Sequence, residues 1–330
     1  MFRKMTLFPI CVVAALTACG GGGASSPAAA PAALNNANQT TAAQEATSTA
    51  YLPLVGAQTL TGAQTLDEAV LFSIARQQLN LLPSYLAAAR SSTTLTGVVQ
   101  SQTGNCTYGG TITATASDAD NNNALSAGDS VSITANNCVE AEGTLTGSLA
   151  FVVNSLTGNF SSTSYNGSFT MTFSGFNVSS SQFSASANGS LTLTVSESGV
   201  NTMSATVSTP SLSVSGTYAG VARSRSLANY LATITTASDQ TNGHTTSYNM
   251  SGSVTSSALA SQSISFTTPT PFVSLPADAY PSSGVMLITG STSTKVRITA
   301  LSNTQVRLDL DANGDGTYEG STTLNWNTLM

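Results

Sequence analysis

The sequence predicts a mainly β protein: a large antiparallel sheet, built as a curved sheet, sandwich or half-barrel, with one N-terminal α-helix packed on it. Three observations lead there. From about residue 95 onward, apolar and hydroxyl side chains alternate with period two, as in Phe169-Thr170-Met171-Thr172-Phe173, Leu191-Thr192-Leu193-Thr194-Val195 and Val306-Arg307-Leu308-Asp309-Leu310. Asn-Gly pairs at 166–167, 188–189 and 242–243 punctuate these runs with hairpin chemistry. Helical spacing is convincing in one stretch only, and it precedes the strands.

The chain opens with a basic start (Arg3, Lys4), an apolar run from Met5 to Ala18, and Leu16-Thr17-Ala18-Cys19 followed by four glycines. Charge, apolar run and small residues in that order are what an export signal requires. A transmembrane span would need about 20 apolar residues, and this run is broken by Pro9. Leu-Thr-Ala-Cys is similar to the lipobox of bacterial lipoproteins. That resemblance implies removal of residues 1–18, acylation of the Cys19 thiol, and a membrane partner held through the N-terminal lipid. Gly20 stands where an aspartate would imply retention at the inner membrane, so the resemblance implies the outer membrane.

Export sets the redox setting. Besides Cys11 in the signal and Cys19 there remain Cys106 and Cys138, which an exported protein is expected to join as a disulfide. Residues 19–50 are rich in Gly, Ala, Pro, Asn and Thr, with Glu45 their one charge and no apolar periodicity. They read as a disordered tether, reaching roughly 30 Å on average.

The folded part is expected over 51–330, with a sub-boundary near 142. Its helix starts at Thr65-Leu66-Asp67-Glu68, a capping box with acids at the positive helix end. Leu66, Val70, Leu71, Ile74, Leu81 and Leu82 form the stripe that would bury against the sheet, and Pro83 ends or kinks it. A membrane-surface helix would want lysines on the polar face, which are missing.

Register arithmetic supports a two-residue turn at Asn166-Gly167, because it sets Phe160 opposite Phe173 and Ser164 opposite Phe169. The same test fails at Asn188-Gly189, where Phe183 would face Thr194, so a bulge or longer turn is required there.

Between the two cysteines lies Asp118-Ala-Asp120-Asn-Asn122-Asn123-Ala124-Leu125-Ser126-Ala-Gly-Asp129. Oxygen-bearing side chains at positions 1, 3, 5, 9 and 12, with the Ala124 carbonyl at 7, give a spacing that resembles an EF-hand calcium loop. Asn123 replaces the usual glycine and Asp129 the usual glutamate. The flanks read as strands, so the loop is expected at a hairpin tip whose open end the cysteines close. Strict Cys106–Cys138 pairing would send Ile112 and Ile133 to opposite faces, unless Gly109-Gly110 forms a bulge. A second cluster, Asp311, Asn313, Asp315, Gly316, the Thr317 carbonyl and Glu319, starts the same way but has Thr322 at position 12. With Asp309, the two stretches hold 7 of the 15 acids, a repulsion that a structural calcium would relieve. Asp, Asn and Gly making plain turns is the competing account.

Function classes narrow by composition. Charged residues are 7% of the chain, and nine basic residues, two of them in the first four positions, face 15 acids. That leaves no basis for nucleic-acid binding. The single histidine, His244, flanks a turn, and no Gly-x-Ser-x-Gly is present. Glu140, Glu142, Glu197 and Asp278 give no paired-carboxylate signal. Lys295, Arg297 and Arg307 read as a solvated face, and Trp326 as core. The expectation is a non-enzymatic envelope lipoprotein, a binding or structural module stabilised by calcium, its protein, glycan or lipid ligand unspecified. The alternative is a carrier or acceptor of apolar ligands in a cavity between helix and curved sheet. A membrane-spanning barrel ranks third, since aromatic girdles are sparse.

Overall fold

The computed structural model describes residues 29–59, 99–122, 125–141, 143–158, 164–181, 183–199, 202–218, 221–239, 241 and 243–330. The predicted class is correct: the described residues form one antiparallel sheet of 14 strands, open and curled, and one α-helix near the N-terminus. The strands are β1 (Val99–Asn105), β2 (Thr111–Ser117), β3 (Ser130–Glu140), β4 (Gly143–Gly158), β5 (Ser164–Ser179), β6 (Phe183–Gly199) and β7 (Thr202–Tyr218). They continue with β8 (Val221–Asp239), β9 (Gly243–Ser256), β10 (Gln262–Ser274), β11 (Ser283–Thr289), β12 (Lys295–Ala300), β13 (Gln305–Asp311) and β14 (Gly320–Asn325). Each lies beside its neighbour in sequence, so the sheet is a simple meander with no crossover.

Alternation sorts each strand into two faces. On β7 the buried set is Ala205, Val207, Thr209, Leu212 and Val214, while Ser204, Ser211, Ser213 and Ser215 are exposed. The long strands keep this sorting through bulges. In β8 the inward set steps from Arg225 and Leu227 to Tyr230, Ala232 and Ile234, and Asn229 absorbs the extra residue at φ 50°.

Bulges also explain two turns that are not turns. Asn166-Gly167 lies inside β5, opposite Thr157 and Leu156, so the hairpin predicted there is wrong. Gly167 is buried beside the Phe169 ring, and a β-carbon there would stand 2.7 Å from it. Asn188-Gly189 lies inside β6, with Phe183, Leu191 and Leu193 on one face. The Asn188 side chain accepts the Gly175 N–H at 2.6 Å, bracing the bulge in β5 between Phe173 and Phe176. Asn and Gly serve bulges within long strands by the same backbone freedom that serves hairpins. At the third pair, Asp239 and Gly243 close the β8–β9 hairpin, with Gly243 at φ 82°.

The helix, α1, runs Gln39–Thr59. The capping box and stripe from Thr65 to Pro83 lie outside the described residues, so the helix that is seen falls largely within the predicted tether. Residues from Ala29 are already tied down: Pro31 bridges Ser263, Ala32 N–H donates to Ser263 O at 2.8 Å, and Ser291 N–H to Ala32 O at 2.7 Å. Ala42, Ala43, Glu45, Ala46, Thr47, Ser48, Thr49, Ala50, Leu52 and Leu54 are all buried. The helix touches strands β7 through β13, so the curl of the sheet wraps it. Over 45–54 every residue is buried; such a stretch needs no polar face, and small side chains let the backbone lie close to the sheet. That is why it has no amphipathic pattern in the sequence. No helix among the described residues is long and apolar enough to cross a membrane.

Candidate metal centres and the buried ion pair

Strands β2 and β3 form the predicted hairpin, Ser117 opposite Ser130, with 118–129 at its tip. Cys106 and Cys138 are joined. Ile112 pairs with Ala135 and Ala114 with Ile133, which puts both isoleucines on one face. The mismatch is absorbed where expected. Gly110 takes φ 74° against the backbone of Asn137, itself at φ 47° in a bulge of β3.

Carboxylate oxygens of Asp118, Asp120 and Asp129 lie within 4.8 Å of one another. Asp129 is buried and braces the loop: its oxygens accept Ala119 N–H at 2.9 Å and Ser126 N–H at 2.7 Å. Asp120 is exposed and accepts the Asn122 N–H at 3.1 Å, the Asn122 side-chain amide at 2.7 Å and the Ser126 hydroxyl at 3.1 Å. Asn122 therefore turns an amide nitrogen towards the cluster. Ala124 lies outside the described residues.

The second cluster joins β13 to β14. Asp311, Asp315 and Glu319 also bring carboxylate oxygens within 4.8 Å. Asp311 is fully buried and accepts Gly314 N–H at 2.6 Å and Gly316 N–H at 3.0 Å, while Glu319 accepts Ala312 N–H at 3.0 Å. Asp315 receives the Thr317 N–H at 2.7 Å, which holds its carboxyl below the ordinary value. Asn313 donates its amide to Asp315 at 3.1 Å. Thr322 is a strand residue opposite Leu308, outside the loop.

In both loops one buried aspartate curls the backbone through two N–H bonds, while Asp120, Asp315 and Glu319 are exposed and Asp118 is half-buried. An ionised carboxylate has about four lone-pair sites, so this bracing leaves acceptor capacity for a cation. Calcium takes about six to eight oxygens. Three carboxylates with Ser126 in the first loop, and three with the Thr317 carbonyl in the second, are the sets that would supply them.

Asp309 does not belong to this acidic group. It is buried on β13 between Arg297 at 2.8 Å and Arg307 at 3.1 Å. Burial alone would raise its carboxyl, but bonds from Arg297 and Ser321 and the two charges hold it low. Arg297 also covers the Tyr318 ring, 4.1 Å from its centre. Arg297 and Arg307 are thus committed to an ion pair, and the reading of them as a merely solvated face is corrected. His244 stands opposite Ser238, with Asp239 one step along. Trp326 is buried against Phe272 and Tyr280, as expected of core.

The sequence reading missed the Glu45–Arg225 pair. Arg225 Nε donates to one Glu45 oxygen at 2.7 Å and Nη2 to the other at 3.1 Å, both residues buried. Burial would push the Glu45 carboxyl up, yet the Arg225 bond and charge, with Ser256 and Arg223, hold it below the ordinary value. Tyr230 donates to Ala50 O at 2.6 Å, and Thr47 to Leu329 O at 2.9 Å. The available signal was parity: Arg225 shares the inward face of β8 with Leu227, and a lone acid in an Ala/Thr run was its one local counterpart.

No protein-family profile, curated protein or solved structure matches the chain.

Proposed function

We propose that the chain is a bacterial cell-envelope lipoprotein, moored through Cys19, whose folded part is a non-enzymatic binding or structural module stabilised by calcium at its two acidic loops. The observation that supports this best is how the two faces of the sheet are used. Along β7–β13, α1 packs on the buried face of the sheet, which favours a structural module over a carrier with a greasy cavity. The convex face of β5–β9 carries hydroxyls and amides in register, Ser168, Thr194, Thr206, Thr233 and Asn249 across five strands. Several bond one another, as Thr194 to Ser168 at 3.3 Å and Ser186 with Ser215 at 2.8 Å. Such a face suits water and is costly against hydrocarbon, which argues against a membrane-spanning barrel.

The mass of the N-terminal peptide from envelope-purified protein tests the mooring. Cys19 carrying acyl chains is expected; a chain keeping residues 1–18 without acyl mass rejects it. Thermal unfolding tests the ion. Calcium at about 100 times its Kd should stabilise the protein by about 2.7 kcal/mol over chelated samples, and identical melting curves would remove calcium from the reading.

A further inference from the structure

Among the described residues the most exposed large apolar side chain is Tyr108, at 69%. It sits in the turn Cys106–Gly110 between β1 and β2. This turn is held unusually firmly for one that buries so little. The disulfide ties Cys106 to Cys138. Backbone bonds run from Tyr108 N to Val139 O at 3.0 Å, from Val139 N to Gly109 O at 2.9 Å, and from Cys106 N to Gly110 O at 3.1 Å. Thr107 N–H donates to Glu140 Oε1 at 3.2 Å. A β-carbon at Gly110 would run into the Asn137 carbonyl, whereas Gly109 faces open space. Rigidity of this kind lowers the entropy lost when a ligand docks on the ring.

The ring's surroundings define the ligand. Asn105, Thr107, Asn136 and Asn137 are exposed along the same turn and the adjoining β3 bulge. With Glu140 they offer both donors and acceptors. No lysine or arginine occurs in residues 99–117 or 130–145, so an anionic partner has nothing to meet. Protein hot spots and membrane anchors need several apolar groups together. Here, among the described residues, one flat exposed ring stands in a turn whose exposed surroundings include Asn105, Thr107, Asn136 and Asn137. Val152, Val221, Leu231 and Leu301, the other exposed large apolar residues described, lie on or beyond other strands. A neutral sugar matches this pattern, with an apolar C–H face for the ring and a rim of hydroxyls that both donate and accept.

We propose that the stapled turn around Tyr108 is a carbohydrate-binding platform for a neutral pyranose, with Tyr108 stacking on the sugar face and Asn136, Asn137 and Glu140 bonding its hydroxyls. This rests on the reading of the chain as a binding module but uses neither acidic loop. The test is saturation-transfer NMR on the detergent-solubilised full chain in chelator, with maltohexaose, cellohexaose and the hexamer of N-acetylglucosamine as probes. Transfer to ring protons of at least one probe is expected, falling about tenfold or more in Tyr108→Ala and persisting in Tyr108→Trp. An exposed side chain should leave the melting temperature of both variants at the parent value. Absence of transfer from all three probes overturns the proposal, as does transfer undiminished in Tyr108→Ala. Tyr108-dependent sedimentation with phosphatidylethanolamine vesicles, without sugar transfer, would assign the turn to the membrane instead. None of these results bears on acylation at Cys19 or on the calcium response, which are read separately.

Discussion

Replacing Glu45 with alanine should lower the stability of the protein by about 3–5 kcal/mol, because it leaves Arg225 charged, buried and facing a helix that no longer answers it. Urea unfolding followed by tryptophan fluorescence measures the effect, since Trp326 is buried beside the C-terminal contact to α1. A cost under about 1 kcal/mol would mean that water or another group takes over the guanidinium. The double replacement Glu45→Met with Arg225→Leu separates loss of the pair from loss of packing. By restoring apolar contact it should return most of the stability.

The same pair gives a pH signature. The Glu45 carboxyl is held below its ordinary value, near 4.5, in the folded state. Its contribution is therefore complete above that value and is lost as pH falls through the folded one. Asp309 behaves in the same direction through Arg297 and Arg307. Acid unfolding of the parent should thus be steeper than that of the double variant, and the difference between the two curves isolates Glu45. Parallel curves would mean that the pair carries no linkage.

The second large effect is expected at the disulfide. Its cysteines are 32 residues apart, and by chain entropy the bond stabilises the fold by about 3–4 kcal/mol. Replacing both cysteines with serine should release that amount. The loss should concentrate in β1–β3, where the apolar clusters apart from the main core are two small ones, Ala116, Val131 and Ile133, and Cys106, Ala135 and Cys138. Amide hydrogen exchange shows where it falls. Protection in β1–β3 should drop to little more than that of open chain, while β8–β13 around α1 keep theirs. Uniform loss over the whole sheet would instead mean that the hairpin and the core unfold as one unit.

How far these features could be read from the sequence depended on which physical signal carried them. Period-two alternation in Leu191–Val195 and Val306–Leu310 gave the strand class directly, because side-chain parity is set by the pleat itself. The disulfide and the hairpin tip at 118–129 were legible from cysteine count, the reading of residues 1–19 as an export signal and the symmetry of the flanks. Even the conflict between Ile112 and Ile133 pointed to the glycine pair that resolves it. That Asn166-Gly167 lies inside a strand was not legible, whereas the failed register at Asn188-Gly189 did point to a bulge. Each strand is long enough to need bulges, and a bulge uses the same residues as a turn. The helix at Gln39–Thr59 was not anticipated, for a different reason. Composition rules associate Ala, Thr and Pro with linkers because such residues bury little area each. Inside a curled sheet their smallness is what makes the fit, and only the tertiary setting reveals it. Glu45 and Arg225 are 180 residues apart, beyond the reach of any local pattern. The acidic loops were legible as clusters, though not that Asp129 and Asp311 turn inward while Asp309 leaves the group for two arginines.

The wrapped helix has a consequence for how the chain matures. Each strand pairs with the one just made, so the ladder can grow in the order in which the chain is synthesised. The segment that fills its hollow precedes β1–β14, yet its partners Arg225 and Leu329 lie 180 and 282 residues further along. Until then an alanine-lined helix and the inner wall of the growing ladder both stand open to water. Closing the helix on the sheet is thus a docking over a long stretch of chain, and the interval before it is when the fold is most open to misassembly.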